Sequence, residues 1–297
     1  MERGQLFGLL GLNGAGKTTL LRILATVLSP DRGTASVGGV DVVREPRRVR
    51  SLVGFCNPDS QGLYLRLTGR ENLGFFAALQ RVPSDVAGRR ISALLGFFSL
   101  ESAAGRLVKD YSTGMRAKLR LARALLHDPE LLLLDEPTSG MDFQSACEVY
   151  DLLRAINAEF QKTVVFTTHH LKEAEDLCPT VAIIHEGQIR AQAAVSELKR
   201  KLERPGVVVV RLRKGDDSLV PRLTGLAGVK GLIEEQAAAA VGTGEVERLK
   251  LHVTSPDDVI AAIVATVPAA DLVSVGVEEP TLEDIFIAET RKVGEAS

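Results

Sequence analysis

An α/β chain built on a mainly parallel sheet, followed by a smaller α+β unit, is the fold class this sequence predicts. Three observations predict it. Short apolar runs at QLFGLL (residues 5–10), LLLL (131–134) and KTVVFTT (162–168) lack polar alternation, the pattern of parallel strands buried on both faces. Helical-period stretches separate these runs, which is the strand-then-helix order of an open parallel sheet. Beyond Arg204-Pro205-Gly206 the order becomes strand, helix, strand, strand, helix, strand, the split βαββαβ arrangement of a ferredoxin-like unit. The expected boundary divides the chain into residues 1–204 and 205–297.

The first strand, Gln5 to Leu10, runs into a glycine-rich loop, Gly11-Leu12-Asn13-Gly14-Ala15-Gly16-Lys17-Thr18-Thr19. This is a full G-x-x-x-x-G-K-T, or Walker A, pattern between a strand and a helix. Its glycines let backbone N–H groups turn inward on a phosphate, its lysine reaches the β/γ-phosphates and Thr18 offers a hydroxyl to Mg²⁺. The helix that follows points its positive end at the same oxygens. By itself the motif predicts a nucleoside triphosphate and no more. Leu20, Leu21, Leu24, Val27 and Leu28 extend a helical spacing to SPDRG (residues 29–33), where it is expected to stop.

Thr68 and Glu71 form a capping box ahead of a second helix, and a third is expected from Ser84. YSTGMRAKLRLARAL (111–125) places Ser112 and Gly114 just before a helix, from Gly114 to His127, that carries Arg116, Lys118, Arg120 and Arg123. Two readings of Ser112 stay open on these residues alone: an ordinary N-cap, or part of a second anion site at a helix start. LLLLDEPTSGMD (131–142) ends a buried strand in adjacent carboxylates. Such a pair can divide the work, Asp135 on a metal ion and Glu136 on an attacking water.

Asp142 to Phe160 is amphipathic, KTVVFTTHH is a buried strand ending in histidines, and VAIIHEGQIRA (181–191) reads as a hairpin turning at Glu186-Gly187. In the C-terminal unit, Ser255 is the expected N-cap of SPDDVIAAIVATV, QAAAAVGTGE is a low-complexity hairpin tip, and PTLEDIFIAET closes the chain as a helix.

Composition narrows the classes. The 297 residues are 45% hydrophobic and 25% charged, with a net charge of −2, which fits a globular protein and offers no electrostatic footprint for nucleic acid. Basic pairs such as Arg47-Arg48 read as solvated helix faces. Aromatic residues make up 4% and tryptophan is absent, so base-stacking platforms are not expected. Cys56, Cys147 and Cys178 have no metal-site spacing and read as free thiols in a reducing compartment. No secretory leader is legible, and no apolar stretch approaches the roughly 20 residues of a membrane helix.

Together the Walker A loop, YSTGM, LLLLDEP, TSGMD and the histidine after KTVVFTT resemble, in order, the ATP-binding subunit of an ABC transporter. The resemblance covers nearly the whole chain. It implies a P-loop ABC ATPase domain with a helical signature subdomain, ATP and Mg²⁺ as cofactors, and two cassettes meeting head to tail, with a second copy or a paralogous ATPase. It makes Ser112 and Gly114 the signature that binds the γ-phosphate held by the opposite subunit. It places Asp142 in the D-loop, makes His169, rather than His170, the switch histidine that hydrogen-bonds the γ-phosphate, and makes Glu136 the catalytic residue that activates water. The C-terminal unit resembles the appendage of ABC-2 type exporter ATPases, which implies an ABC-2 type transmembrane permease as partner and a place on the cytoplasmic face of the membrane. The rival functions are a soluble, non-transport ABC ATPase and a degenerate cassette that binds ATP without efficient turnover.

The sequence departs from the family at three places. YSTGM stands where LSGGQ is usual, with Thr113 for glycine and Met115 for glutamine. The glutamine loop, VGFCNPDSQGLYLRLTGREN, lacks its glutamine at the expected place; Pro58 or Asp59 occupies it, and Asp59 is the expected replacement ligand for Mg²⁺. The family's two strands ahead of the Walker strand, and the aromatic that stacks on adenine, have no counterpart, and Phe7 lies inside the Walker strand. A start upstream of Met1 is the expected explanation, with a partner covering the gap as the alternative.

Overall fold

The computed structural model describes residues 1–57, 62–201, 206–213, 218–236, 240–241, 244–278 and 281–291. The chain divides into two compact units: Met1–Ser196 with Phe286–Ser297, and Glu197–Ile285.

The first unit begins with β1 (Leu6–Leu10), α1 (Lys17–Leu24), β2 (Ser36–Val37), β3 (Val40–Asp41), α2 (Pro46–Leu52) and β4 (Val53–Cys56). Helices α3 (Gly69–Leu79), α4 (Ser84–Phe97) and α5 (Thr113–Leu125) follow. The sheet resumes with β5 (Leu131–Asp135), α6 (Phe143–Phe160), β6 (Thr163–Thr168), α7 (Leu171–Leu177), β7 (Thr180–His185), β8 (Gln188–Ala194) and α8 (Val195–Lys201). Strand order is β4-β5-β6-β1-β7-β8. Within this six-stranded sheet every pairing except the last is parallel, and β8 joins β7 antiparallel through the hairpin, while β2 and β3 pair antiparallel by themselves.

The run of apolar residues in β1, β5 and β6 is explained by this arrangement, since all of their positions are buried. Phe7, Leu9, Leu133, Val165 and Ile184 pack on one face with Leu21 of α1 and Val49 of α2. Leu10, Leu132, Leu134 and Phe166 are buried with them as alternate members of the same strands. The hairpin turns where expected, with Glu186 at φ 50° and Gly187 at φ 74°, the left-handed pair of a type I′ turn.

Helix α1 is shorter than its apolar spacing predicts. It ends at Leu24, and Thr26 takes φ 58° while the N–H groups of Val27 and Leu28 both return to Arg22 O. Val27 and Leu28 are therefore exposed, and the periodic run overstated the helix. The Thr68–Glu71 capping box forms in full. Ser255 precedes the helix Pro256–Thr266 but its side chain makes no capping hydrogen bond. The elements between residues 34 and 56 carry no strong periodicity, and β2, β3, α2 and β4 emerge only in the structure.

Strand β4 shows how closely the layers approach. A Cβ on Gly54 would lie 2.3 Å from Ala124 O of α5 and 2.7 Å from Leu132 Cδ2 of β5. Gly54→Ala is expected to destabilise the chain by about 1–3 kcal/mol, because a backbone carbonyl cannot swing aside as a side chain can. Urea unfolding of the variant beside wild type measures it, and an unchanged midpoint would refute the close packing.

The second unit contains β9 (Val207–Arg213), α9 (Leu219–Thr224), β10 (Val229–Gln236), β11 (Ala240–Val241), β12 (Gly244–Val253), α10 (Pro256–Thr266) and β13 (Leu272–Val277), and α11 (Leu282–Arg291) closes the chain. The order β10-β12-β9-β13 is antiparallel throughout, with β11 paired to β12. This is the predicted ferredoxin-like sheet. Val208, Val210, Leu249 and Leu251 pack against Leu219 and Leu223 of α9 and Val259 and Ile263 of α10. Part of the predicted QAAAAVGTGE tip, residues 237–239 and 242–243, lies outside the described residues.

Candidate active site

The parallel order brings the C-terminal ends of β1, β5 and β6 side by side, with Leu10 in register with Thr168 and Asp135 with Thr167. Ligands of open α/β sheets bind at such ends. The glycine-rich loop leaves β1 there. Gly11 passes so close to β7 that a Cβ would meet Ile184 O at 2.5 Å, and Gly14 and Gly16 take φ 82° and 105°. Gly16 is the N-cap of α1, so the first N–H groups of that helix have no helical acceptors and are available to an anion.

Lys17 is only 5% exposed. Its ammonium donates to Gly11 O at 2.7 Å and Leu12 O at 3.1 Å, and lies 3.7 Å from Glu136 Oε1. Burial pushes its pKa down, against the opposing pull of Glu136 and Asp135. A buried cation beside the free N–H groups at the start of α1 fits a phosphate chain, which would supply negative charge beyond that of the single nearby Glu136 carboxylate.

Thr18 Oγ1 donates to Asp135 Oδ1 at 3.1 Å. A hydroxyl can donate in this way and still offer its oxygen to a metal. Together with a buried carboxylate it is a hard-oxygen donor pair that suits Mg²⁺. Strand alternation alone would aim Asp135 and Glu136 at opposite faces. Glu136 instead takes φ 44°, a left-handed conformation that breaks the alternation. Both carboxylates consequently reach the same loop, Asp135 through Thr18 and Glu136 through Lys17.

His169 follows the end of β6, and its Nδ1 lies 3.2 Å from Glu136 Oε1. The His170 ring sits 4.1 Å from that of His169 between centroids, and its backbone N–H donates to Thr168 Oγ1. Of the two histidines, His169 is the one that meets the carboxylate.

Ser112, Gly114 and Asp142 form a separate cluster where α5 and α6 begin. Ser112 Oγ accepts from Met115 N at 3.2 Å as an N-cap. A Cβ on Gly114 would lie 3.5 Å from Ser145 Oγ, which donates to Asp142 Oδ2 at 2.7 Å. The Ser145 backbone N–H and then its hydroxyl hold the Asp142 carboxyl below the usual range. Among the described residues no hydrogen bond or ion pair joins this cluster directly to Lys17. Asp59 lies outside the described residues.

One feature had no sequence signature. Arg47 and Arg50 of α2, Arg81 just before α4, Arg90 in the middle of α4, and His127 line a cavity of about 700 Å³. These residues are scattered along the chain, so only the fold gathers their charge.

Residues 1–139 match the family described as ABC transporter. The chain is 38% identical over 198 residues to the ABC transporter ATP-binding protein NatA of Bacillus subtilis (strain 168), covering 67% of this chain and 80% of NatA. It is 35% identical over 300 aligned residues to the daunorubicin resistance ATP-binding protein DrrA3 of Streptomyces coeruleorubidus, covering 100% of this chain and 92% of that protein. A solved ATP-binding subunit of an ABC transporter superposes with a TM-score of 0.59 at 29% identity, over 67% of this chain and 82% of that one.

Proposed function

Since this chain belongs to the ABC transporter family as an ATP-binding subunit, we propose that it hydrolyses ATP to drive an ABC-2 type exporter whose membrane-spanning permease is a separate protein. The observation that carries the reading is the convergence of Lys17, Thr18, Asp135, Glu136 and His169 at the ends of three adjacent strands.

In this reading Gly11, Leu12, Asn13, Gly14, Ala15, Gly16, Lys17, Thr18 and Thr19 cradle the phosphates. Backbone amides and the Lys17 ammonium oppose the charge that develops on the transferred phosphoryl group. Thr18 and Asp135 would hold Mg²⁺, with Asp59 expected as a further ligand, and the ion when bound would supply further neutralisation of phosphate charge. Glu136 takes a proton from the attacking water, and His169 steadies the Glu136 carboxylate and the γ-phosphate.

Two cassettes, a pair of copies or this chain and a paralogue, close head to tail. Ser112, Gly114 and Asp142 of one then face the ATP held by the other. Residues 1–204 act as the ATPase domain and 205–297 as an accessory domain. The name of DrrA3 connects that relative to drug resistance, which supports export as the direction here. No helix among the described residues is long and apolar enough to cross a membrane, so in this reading the span belongs to the partner and the cassette sits on its cytoplasmic face.

The test is steady-state phosphate release from Mg-ATP by the purified chain, followed by the same assay with its permease in vesicles. Turnover that rises when the permease is present, and export that needs ATP, are the expected results. Absence of turnover in both settings would overturn the reading.

A further inference from the structure

We propose that Thr167 is a positioning residue whose single hydroxyl holds both the metal-facing carboxylate of Asp135 and the backbone of Glu136. The proposal rests on the ATPase reading above. Thr167 lies in β6 in direct register with Asp135 of β5 and is 0% exposed. Its neighbours Val164, Val165 and Phe166 are buried apolar residues. A hydroxyl in such a strand must find hydrogen-bond partners. Thr167 finds two, and both belong to the site. Its Oγ1 donates to Asp135 Oδ1 at 2.7 Å and accepts from the N–H of Glu136 at 2.9 Å.

Each bond fixes something that the chemistry needs. Oδ1 of Asp135 now receives two hydroxyls, from Thr167 and Thr18. The carboxylate is thereby held in one rotamer, and among the described residues its other oxygen, Oδ2, has no hydrogen-bond partner and is left for a metal. The second bond secures the backbone of Glu136, whose left-handed φ of 44° is a conformation side-chain-bearing residues rarely adopt. That backbone turn is what brings the Glu136 carboxylate to Lys17 and His169. Loss of the hydroxyl would free the rotamer of Asp135 and leave a Glu136 amide unpaired in one step.

The experiment separates hydroxyl from methyl. Thr167→Val keeps the shape and the β-branch and loses the hydroxyl; Thr167→Ser does the reverse. Mn²⁺ binding in the presence of ATP is followed by electron paramagnetic resonance of the free ion, beside kcat and ATP binding in chelator. For Thr167→Val, Mn²⁺ affinity and kcat are each expected to fall about tenfold, the scale of one lost hydrogen bond apiece, the bond to Asp135 for the metal and the bond from Glu136 N–H for turnover. ATP binding without metal is expected to stay within about twofold, because the phosphate loop is untouched. Thr167→Ser is expected to match wild type in all three. A packing role predicts the opposite ranking, with the serine variant impaired, and that ranking would overturn the proposal. So would a valine variant with wild-type Mn²⁺ affinity. Should the valine chain fail to fold, the serine chain still decides between hydroxyl and methyl. A wild-type chain that binds Mn-ATP without turning it over would sink the ATPase reading while the metal titration still tests Thr167.

Discussion

Glu136→Gln is expected to reduce ATP turnover by about 10²- to 10⁴-fold, the range of a lost general base, while ATP binding persists. The side chain meets Lys17 Nζ at 3.7 Å and His169 Nδ1 at 3.2 Å through the same oxygen. Glutamine can keep an acceptor at that position, so the architecture of the mouth is retained. It cannot take a proton from water. It also removes a negative charge that would face the phosphates, so affinity for ATP is expected to hold or rise. If two cassettes close over the nucleotide, the variant should accumulate as a dimer with ATP and not with ADP. Phosphate release and size-exclusion chromatography with each nucleotide measure the two effects. A variant that turns over normally would remove Glu136 from the chemistry.

Lys17→Met is expected to separate folding from binding. Affinity for ATP should fall by about 100-fold or more, since an ammonium donates charge-assisted hydrogen bonds to phosphate and each is worth about tenfold or better. Stability without nucleotide should not fall. Burial already depresses the Lys17 pKa, so in the empty protein the desolvation of the charge outweighs the attraction of Glu136 and Asp135. A methionine of similar length removes that cost, though Gly11 O and Leu12 O lose a donor. Thermal unfolding is the measurement. Wild type should show an ATP-dependent rise in midpoint, and the variant should lose the rise while its own midpoint stays level or higher. A variant with a much lower midpoint would show that the ammonium is a structural prop of the loop.

The two changes act on opposite ends of one geometry. Lys17 comes from the first turn of α1 and Glu136 from the residue after β5. Their separation in sequence means that neither change by itself can reveal the pairing. A double variant should be less than additive if the 3.7 Å ion pair persists in solution.

Much of the fold was legible because burial and backbone geometry write themselves locally. The unbroken apolar runs of β1, β5 and β6, the Thr68–Glu71 box and the Glu186-Gly187 turn each need only their own neighbours to be read. The ferredoxin-like order followed for the same reason. The end of α1 was not legible, since Val27 and Leu28 keep the helical period after Thr26 has turned the chain. Residues 34–56 lacked any period, and their elements are held by Val37, Val40, Val49 and Val53 packing into the main core.

For the site, sequence by itself determined the chemical cast: a glycine loop with its lysine and threonine, two adjacent carboxylates, and a histidine after a buried strand. Tertiary structure alone decided how they meet. It turned Glu136 out of strand alternation, brought His169, the histidine already singled out by the resemblance, to 3.2 Å from that carboxylate, and set the Thr167 hydroxyl between Asp135 and Glu136. It also gathered Arg47, Arg50, Arg81, Arg90 and His127 around one cavity. The physical reason is common to all of these. Residue type and local spacing determine what a side chain can do, whereas strand register and the φ of a single residue determine what it faces, and those depend on elements well separated in the chain, with 32 positions between Asp135 and Thr167 and 33 between Glu136 and His169.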